Sequence, residues 1–185
     1  MENDELIRLL KINSERIGLD AGFYDEMLSS NDWTFILKLS ALFEAVLVEG
    51  AVNKLKNKNI KEVLSHLELS NRKCGKVAVA KCLDLISDED AKFIDKIAEI
   101  RNQLAHRIDQ RLFTIRNYIN DQCIDNPNKL KSLSKTLSNR LNDQIILSDG
   151  KSMNRAEAIL VEPKEMILSN AMDIMANIAY LNENS

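Results

Sequence analysis

Apolar residues recur at helical spacing along most of the chain. Leu6, Leu9 and Leu10 mark a first helix over residues 4–12, and a short second one is expected over 22–28. The strongest pattern follows. Asn31 or Asp32 can cap a helix by accepting a hydrogen bond from a free backbone N–H, and Trp33, Ile36, Leu37, Phe43, Leu47 and Ala51 carry that helix to about Leu55. Its apolar residues lie nearly all round, which predicts a central helix with several neighbours. Residues 60–67 and 71–86 read as two further helices. Ser87-Asp88-Glu89-Asp90 is a capping sequence. It opens a helix with Ile94, Ile97, Ile100, Leu104 and Ile108 on one stripe, and residues 111–124 continue after a break.

Asp125-Asn126-Pro127-Asn128 is the clearest punctuation in the chain. Beyond it, residues 129–141 form a basic amphipathic pattern, with Leu130, Leu133, Leu137 and Leu141 at helical spacing among Lys129, Lys131, Lys135 and Arg140. Around the turn Asp149-Gly150 a brief extended piece fits, and Pro163 suits the start of a last helix over 164–181. The whole reads as one all-α domain of about seven or eight helices, with a core over residues 32–124 and a C-terminal helical extension over 127–185.

Composition narrows the function classes. The chain has 185 residues, enough to bury a core without metal or disulfide staples. Five glycines and two prolines are too few for a turn-dense β-sandwich. Lys and Arg number 25 against 28 Asp and Glu, a net charge of −3, so a broad nucleic-acid-coating surface is not expected, although a local basic site is compatible. Cys74, Cys82 and Cys123 show no metal spacing; a sparse, odd set fits a reducing compartment. The start MENDELIRLL reads as acidic and too short in apolar length for a signal peptide, and the longest apolar stretch, residues 35–48, is broken by Lys38, Ser40 and Glu44. A cytoplasmic protein without a membrane span is expected, with no cofactor and no metal. Phosphate-binding loops, dinucleotide fingerprints, zinc-protease and serine-hydrolase motifs do not occur.

One local pattern carries candidate chemistry: Arg101-Asn102-Gln103-Leu104-Ala105-His106, late in a well-capped helix. Asn102 and His106 are four apart and share a face, while Arg101 and His106 are about 140° apart around the helix and converge only on a cleft that the helix edge faces. The bland alternatives are a His106 that meets the terminal carbonyls and dipole of its helix, and an Arg101 in an ordinary surface salt bridge. Glu44 sits among Leu37, Ala41, Val48, Ala51 and Leu55 on an apolar face, where a carboxylate needs a cation or several donors. The expectation is that Glu44 reaches the motif helix and fixes Arg101; the alternative is that it lies at the edge of the stripe and reaches water. Lys129, Lys131 and Lys135, with Arg107, Arg111 and Arg116, are the candidate RNA contacts, against the plainer reading of a solvated helix face. Cys74 and Cys82 read as core or near-core thiols, and His66 as a surface residue.

Arg-Asn-x-x-x-His on a late helix resembles the R-x(4–6)-H signature of the HEPN superfamily of helical proteins. Leu42-Phe43-Glu44-Ala45, Lys76-Val77-Ala78, Leu85-Ile86-Ser87 and Glu99-Ile100-Arg101-Asn102 are similar to its mannitol-repressor-like branch. The resemblance spans residues 32–108 and implies an up-and-down helical bundle. It further implies a homodimer with the motif at the two-fold interface, and one of two functions. The first is a metal-independent ribonuclease, a toxin or defence component with a cognate antitoxin. In it His106 acts as general acid or base at a ribose 2′-hydroxyl, Arg101 holds the scissile phosphate and Asn102 positions the phosphate or the histidine. The second is a non-catalytic transcriptional regulator or adaptor acting through protein contacts. Residue 108 is Ile, where some toxins of the superfamily carry Tyr.

Overall fold

The computed structural model describes residues 3–20, 22–71, 73–105, 113–123, 126–139 and 144–184. The chain is all-α: the described residues form ten α-helices, one 3₁₀ turn and a single two-stranded hairpin. The helices are α1 (Asn3–Ile17), α2 (Phe23–Ser29), α3 (Asp32–Leu55), α4 (Lys61–Ser65), α5 (Lys76–Cys82), α6 (Asp88–Ala105), α7 (Ile115–Cys123), α8 (Pro127–Leu137), α9 (Arg155–Val161) and α10 (Pro163–Glu183). Strands β1 (Gln144–Ile146) and β2 (Ser152–Asn154) pair antiparallel, with Gln144 opposite Asn154.

Local chemistry sets the helix ends. The Asn31 side chain accepts from Thr34 N at the start of α3, and Lys56, in the left-handed region at φ 50°, ends it. Ser87 and Asp90 cap α6 reciprocally: Asp90 N donates to Ser87 Oγ at 3.1 Å and Ser87 N to Asp90 Oδ2 at 3.0 Å. Asn126 accepts from Asn128 N and Lys129 N, and Pro127 follows at the first helical position of α8.

As its all-round apolar pattern predicts, α3 is central. It packs against α1, α2, α4, α5, α6 and α10. Phe35, Ile36, Leu39, Phe43 and Leu47 are buried along it, and Phe43 meets Phe93 of α6 edge to face at 5.7 Å. Gly50 sets the crossing with α10: a Cβ there would lie 2.9 Å from Ile178 Cγ2. The C-terminal helix shares this core rather than standing apart, since Ile167, Ile174, Met175 and Ile178 belong to the same buried cluster as Leu9 and Phe43. Asn13 Nδ2 donates to Met175 O at 2.5 Å, fastening α1 to α10. Lys164 Nζ, near the start of α10, donates to Leu28 O at 2.5 Å and Ser30 O at 2.8 Å, while Asp32 Oδ2 accepts from Ile115 N at 2.8 Å.

Two elements differ from the sequence reading. The helix expected over 71–86 is only α5, because the chain reverses tightly between Asn71 and Gly75. Asn71 Oδ1 accepts from Lys73 N and Cys74 N, and Gly75 N donates to Asn71 O at 2.7 Å. A Cβ on Gly75 would stand 2.4 Å from Asn71 N, so the turn requires glycine. Cys74 therefore lies on a turn, and both it and Cys82 are exposed rather than near the core. The second difference is α9, which the sequence reading omitted: Asn154 accepts from Glu157 N and opens it. Among the described residues no helix is long and apolar enough to cross a membrane.

Candidate functional site

On α6, Ile94, Ile97, Ile100 and Leu104 are buried, and Ala98, Arg101 and Asn102 lie together on a flank beside that stripe. On α3, Ser40 and Glu44 are four apart and so share a face. These two flanks, with Glu68, Leu69 and Ser70 from the loop after α4, enclose a cleft of about 280 Å³. Arg101 and Asn102 are both exposed, and Arg101 Nη1 donates to Asn102 Oδ1 at 3.0 Å. Among the described residues, Arg101 has no carboxylate within salt-bridge distance. His106, Arg107 and Arg111, the other motif and basic candidates of this stretch, lie outside the described residues.

Glu44 lines the same cleft as Arg101 but does not hold it. Its Oε2 accepts from Lys76 Nζ at 3.3 Å. At 38% side-chain exposure it stands at the edge of the apolar stripe and reaches water, and with Ala41 and Ala45 it lines an open pocket shared with Arg16, Lys61 and Lys76. The buried partner is Lys76, 4% exposed. Besides Glu44, its ammonium donates to Ser65 O at 3.1 Å and to Leu67 O, so all three of its protons are used. The backbone adds to this anchor: Lys76 N donates to Glu68 O at 2.8 Å and Val77 N to Leu69 O at 3.1 Å. Lys76 thus pins the loop that forms one wall of the Arg101 cleft.

Tyr118 of α7, which is not among the described residues that line the cleft, is an unusually weak acid. The Tyr118 hydroxyl points at Glu99 Oε1, 3.5 Å away. Burial, followed by the charge and hydrogen bond of Glu99, pushes its pKa up to about 12. Tyr118 therefore stays protonated near neutral pH.

The remaining basic candidates separate. Arg116 turns away from the cleft and donates to Val161 O at 3.1 Å, closing the C-terminal end of α9. Lys129 is exposed at the start of α8. Lys131 and Lys135 line a second, larger cleft, with Arg155, which the sequence reading did not single out. The leucines of α8 pack inward as the plainer reading holds: Leu137 is fully buried and Leu130 and Leu133 rest against the core. His66 is exposed at the end of α4. Among the described residues no group of three His, Cys, Asp or Glu side chains is placed to hold a metal ion.

Glu68, Ser70 and Lys76 had no role assigned from sequence. Their positions depend on the reversal between Asn71 and Gly75 and on a buried ammonium, neither of which leaves a periodic trace. No family model, curated protein or solved structure matches the chain.

Proposed function

We propose that the chain is a metal-independent ribonuclease of the HEPN type, with Arg101, Asn102 and His106 as its catalytic set. The observation that supports it most is an exposed guanidinium, bonded only to the neighbouring Asn102 among the described residues, at the mouth of a polar cleft. A fixed cation of this kind offers two N–H bonds to a phosphate. In the proposed reaction His106 takes the proton of a ribose 2′-hydroxyl, and the freed oxygen attacks the adjacent phosphorus. The bond from phosphorus to the 5′-oxygen breaks, a proton returns to that oxygen, and the products are a 2′,3′-cyclic phosphate and a 5′-hydroxyl. Arg101 holds the phosphate as its charge grows, and Asn102 fixes the guanidinium through the 3.0 Å bond. An imidazole titrates near neutrality without further tuning.

By the same resemblance the active form is a homodimer whose two motif helices share the cleft, acting in the cytoplasm as a toxin or defence component under a cognate antitoxin. Growth of a host on induction tests it. The wild-type chain slows growth, His106→Ala restores it at equal expression, and equal growth of both is the contrary result.

A specific observation favours the alternative, a mannitol-repressor-like regulator or adaptor without catalysis. Glu44 and Glu68 place two carboxylates in the cleft against the one guanidinium of Arg101. Such a lining suits a basic side chain of a partner protein better than a phosphate backbone. Binding of a protein partner that is lost in Glu68→Lys, with no RNA cleavage by the wild type, would decide for it.

A further inference from the structure

The geometry points to a further binding site, for a small organic acid with one carboxylate on an apolar body of modest size. It lies where the last turn of α1 meets α3 and the starts of α4 and α5. The pocket encloses about 370 Å³, within the range of about 300–1,000 Å³ usual for small-ligand sites. It shares Glu44 with the Arg101 cleft, but neither Arg101 nor Asn102 lines it, so it stands apart from the ribonuclease reading.

The floor is apolar, and its hollow has a cause in the sequence. Ala41, Ala45 and Val48 recur at helical spacing on one face of α3, and Ile17 of α1 adds to them. The small side chains at 41 and 45 leave space that a longer one would fill. Charged groups stand around this floor, and the acids among them are already neutralised. Glu49 accepts from Lys61, and Glu44 from Lys76 at 3.3 Å. Those two pairs leave one charge over, the Arg16 guanidinium. Arg16 is exposed in the last turn of α1, and among the described residues no carboxylate lies within salt-bridge distance of it.

The ligand follows from the groups that are left to bond it. The Lys76 ammonium is saturated by Glu44, Ser65 O and Leu67 O, and the Ser65 hydroxyl donates to Glu62 O at 2.7 Å. The spare charged donors of the pocket belong to Arg16 and to Lys61, whose bond to Glu49 uses one of its three protons. A guanidinium meets a carboxylate through two parallel N–H bonds. A cationic ligand would have to displace a lysine from Glu44 or Glu49, and a neutral one would leave Arg16 unmatched. Two carboxylates in the wall also oppose the repeated phosphates of a nucleic-acid strand. The apolar floor supplies the remaining affinity by taking hydrocarbon out of water.

Calorimetric titration of the full chain with octanoate, kept below the concentration at which it forms micelles, tests the site. Wild type and Arg101→Ala bind alike. Arg16→Met keeps the aliphatic stem and binds about tenfold more weakly or worse. Ala41→Phe fills the floor without touching a charge and is weakened to a similar degree. Both positions are exposed, so helical circular dichroism is unchanged in each variant. Absence of octanoate binding by the wild type overturns the proposal, as does unchanged affinity in Arg16→Met. Unchanged affinity in Ala41→Phe places the octanoate elsewhere on the protein and overturns it too. Octylamine or 1-octanol binding as tightly as octanoate overturns the requirement for a carboxylate, and acetate binding as tightly overturns the requirement for an apolar body.

Discussion

Lys76 holds its ammonium 3.3 Å from the Glu44 carboxylate, and of the two it is the cation that is buried. The asymmetry has a thermodynamic consequence. Removing Lys76 leaves the Ser65 and Leu67 carbonyls without their donor and frees the loop beside the cleft, whereas removing the charge of Glu44 leaves an ammonium with two other acceptors. Lys76→Met is expected to cost about 3 kcal/mol, and Glu44→Gln about 1 kcal/mol or less because its carboxylate is partly solvated. Urea unfolding of the two variants measures the difference. Equal costs would mean that the loop carbonyls contribute nothing to holding Lys76.

The turn that presents Lys76 depends on Gly75. With a Cβ placed 2.4 Å from a backbone nitrogen, no side-chain adjustment relieves the clash. Gly75→Ala should destabilise by about 2 kcal/mol or more. Gly18 is the comparison: it has φ +74° but open space around it, so Gly18→Ala carries only the left-handed backbone cost of about 1 kcal/mol. Thermal unfolding of both variants ranks them.

Much of this architecture is legible in the sequence, and the exceptions have identifiable causes. The cap at Asn31, one of the two residues read for it, the Ser87–Asp90 box and the stripe of α6 from Ile94 to Leu104 are local signals that form as read, while Ile108 of that stripe lies outside the described residues. The signal for α9 is also local, an Asn154 with Glu157 three residues on and Pro163 behind, but seven residues give too short a period to stand out beside the hairpin. Lys76 is different in kind. A lysine ahead of an apolar run reads as a solvated helix start, and only the tertiary approach of residues 65–67 buries it. The candidate site divides in the same way. Arg101 and Asn102 are marked by their motif, whereas Glu68 and Ser70 reach them through a loop whose path is set by Lys76 and Gly75. Likewise, the charge pattern that named Lys131 and Lys135 could not show Arg155 facing them, because a hairpin lies between.

The capping box of α6 should be separable from the site that follows it. Ser87→Ala removes the acceptor of Asp90 N and is expected to cost about 1 kcal/mol. Arg101 lies more than three turns further along the helix, so any RNA or partner binding should persist at temperatures where the variant remains folded. Chemical unfolding and a binding assay at low temperature check both parts.

Tyr118 makes a prediction at alkaline pH. Its folded pKa, about 12, lies above the unfolded value of 10.0, so the folded state holds the proton more tightly. The resulting stability is fully present below pH 10 and is lost as pH rises from 10 towards 12. The loss is at most about 2.7 kcal/mol, and solvent screening at this partly buried phenol lowers it. Tyr118→Phe should show a shallower fall over that window than the wild type. Parallel slopes for the two proteins would place the phenol in water.

The most direct measurement is cleavage of RNA by the purified protein in excess chelator, with His106→Ala and Arg101→Ala beside the wild type. The account predicts cleavage by the wild type with 2′,3′-cyclic phosphate ends. It predicts a loss of about a hundredfold or more in each variant, with helical circular dichroism unchanged. An inert wild type on both single-stranded and structured RNA, or variants that cleave at the wild-type rate, would contradict it.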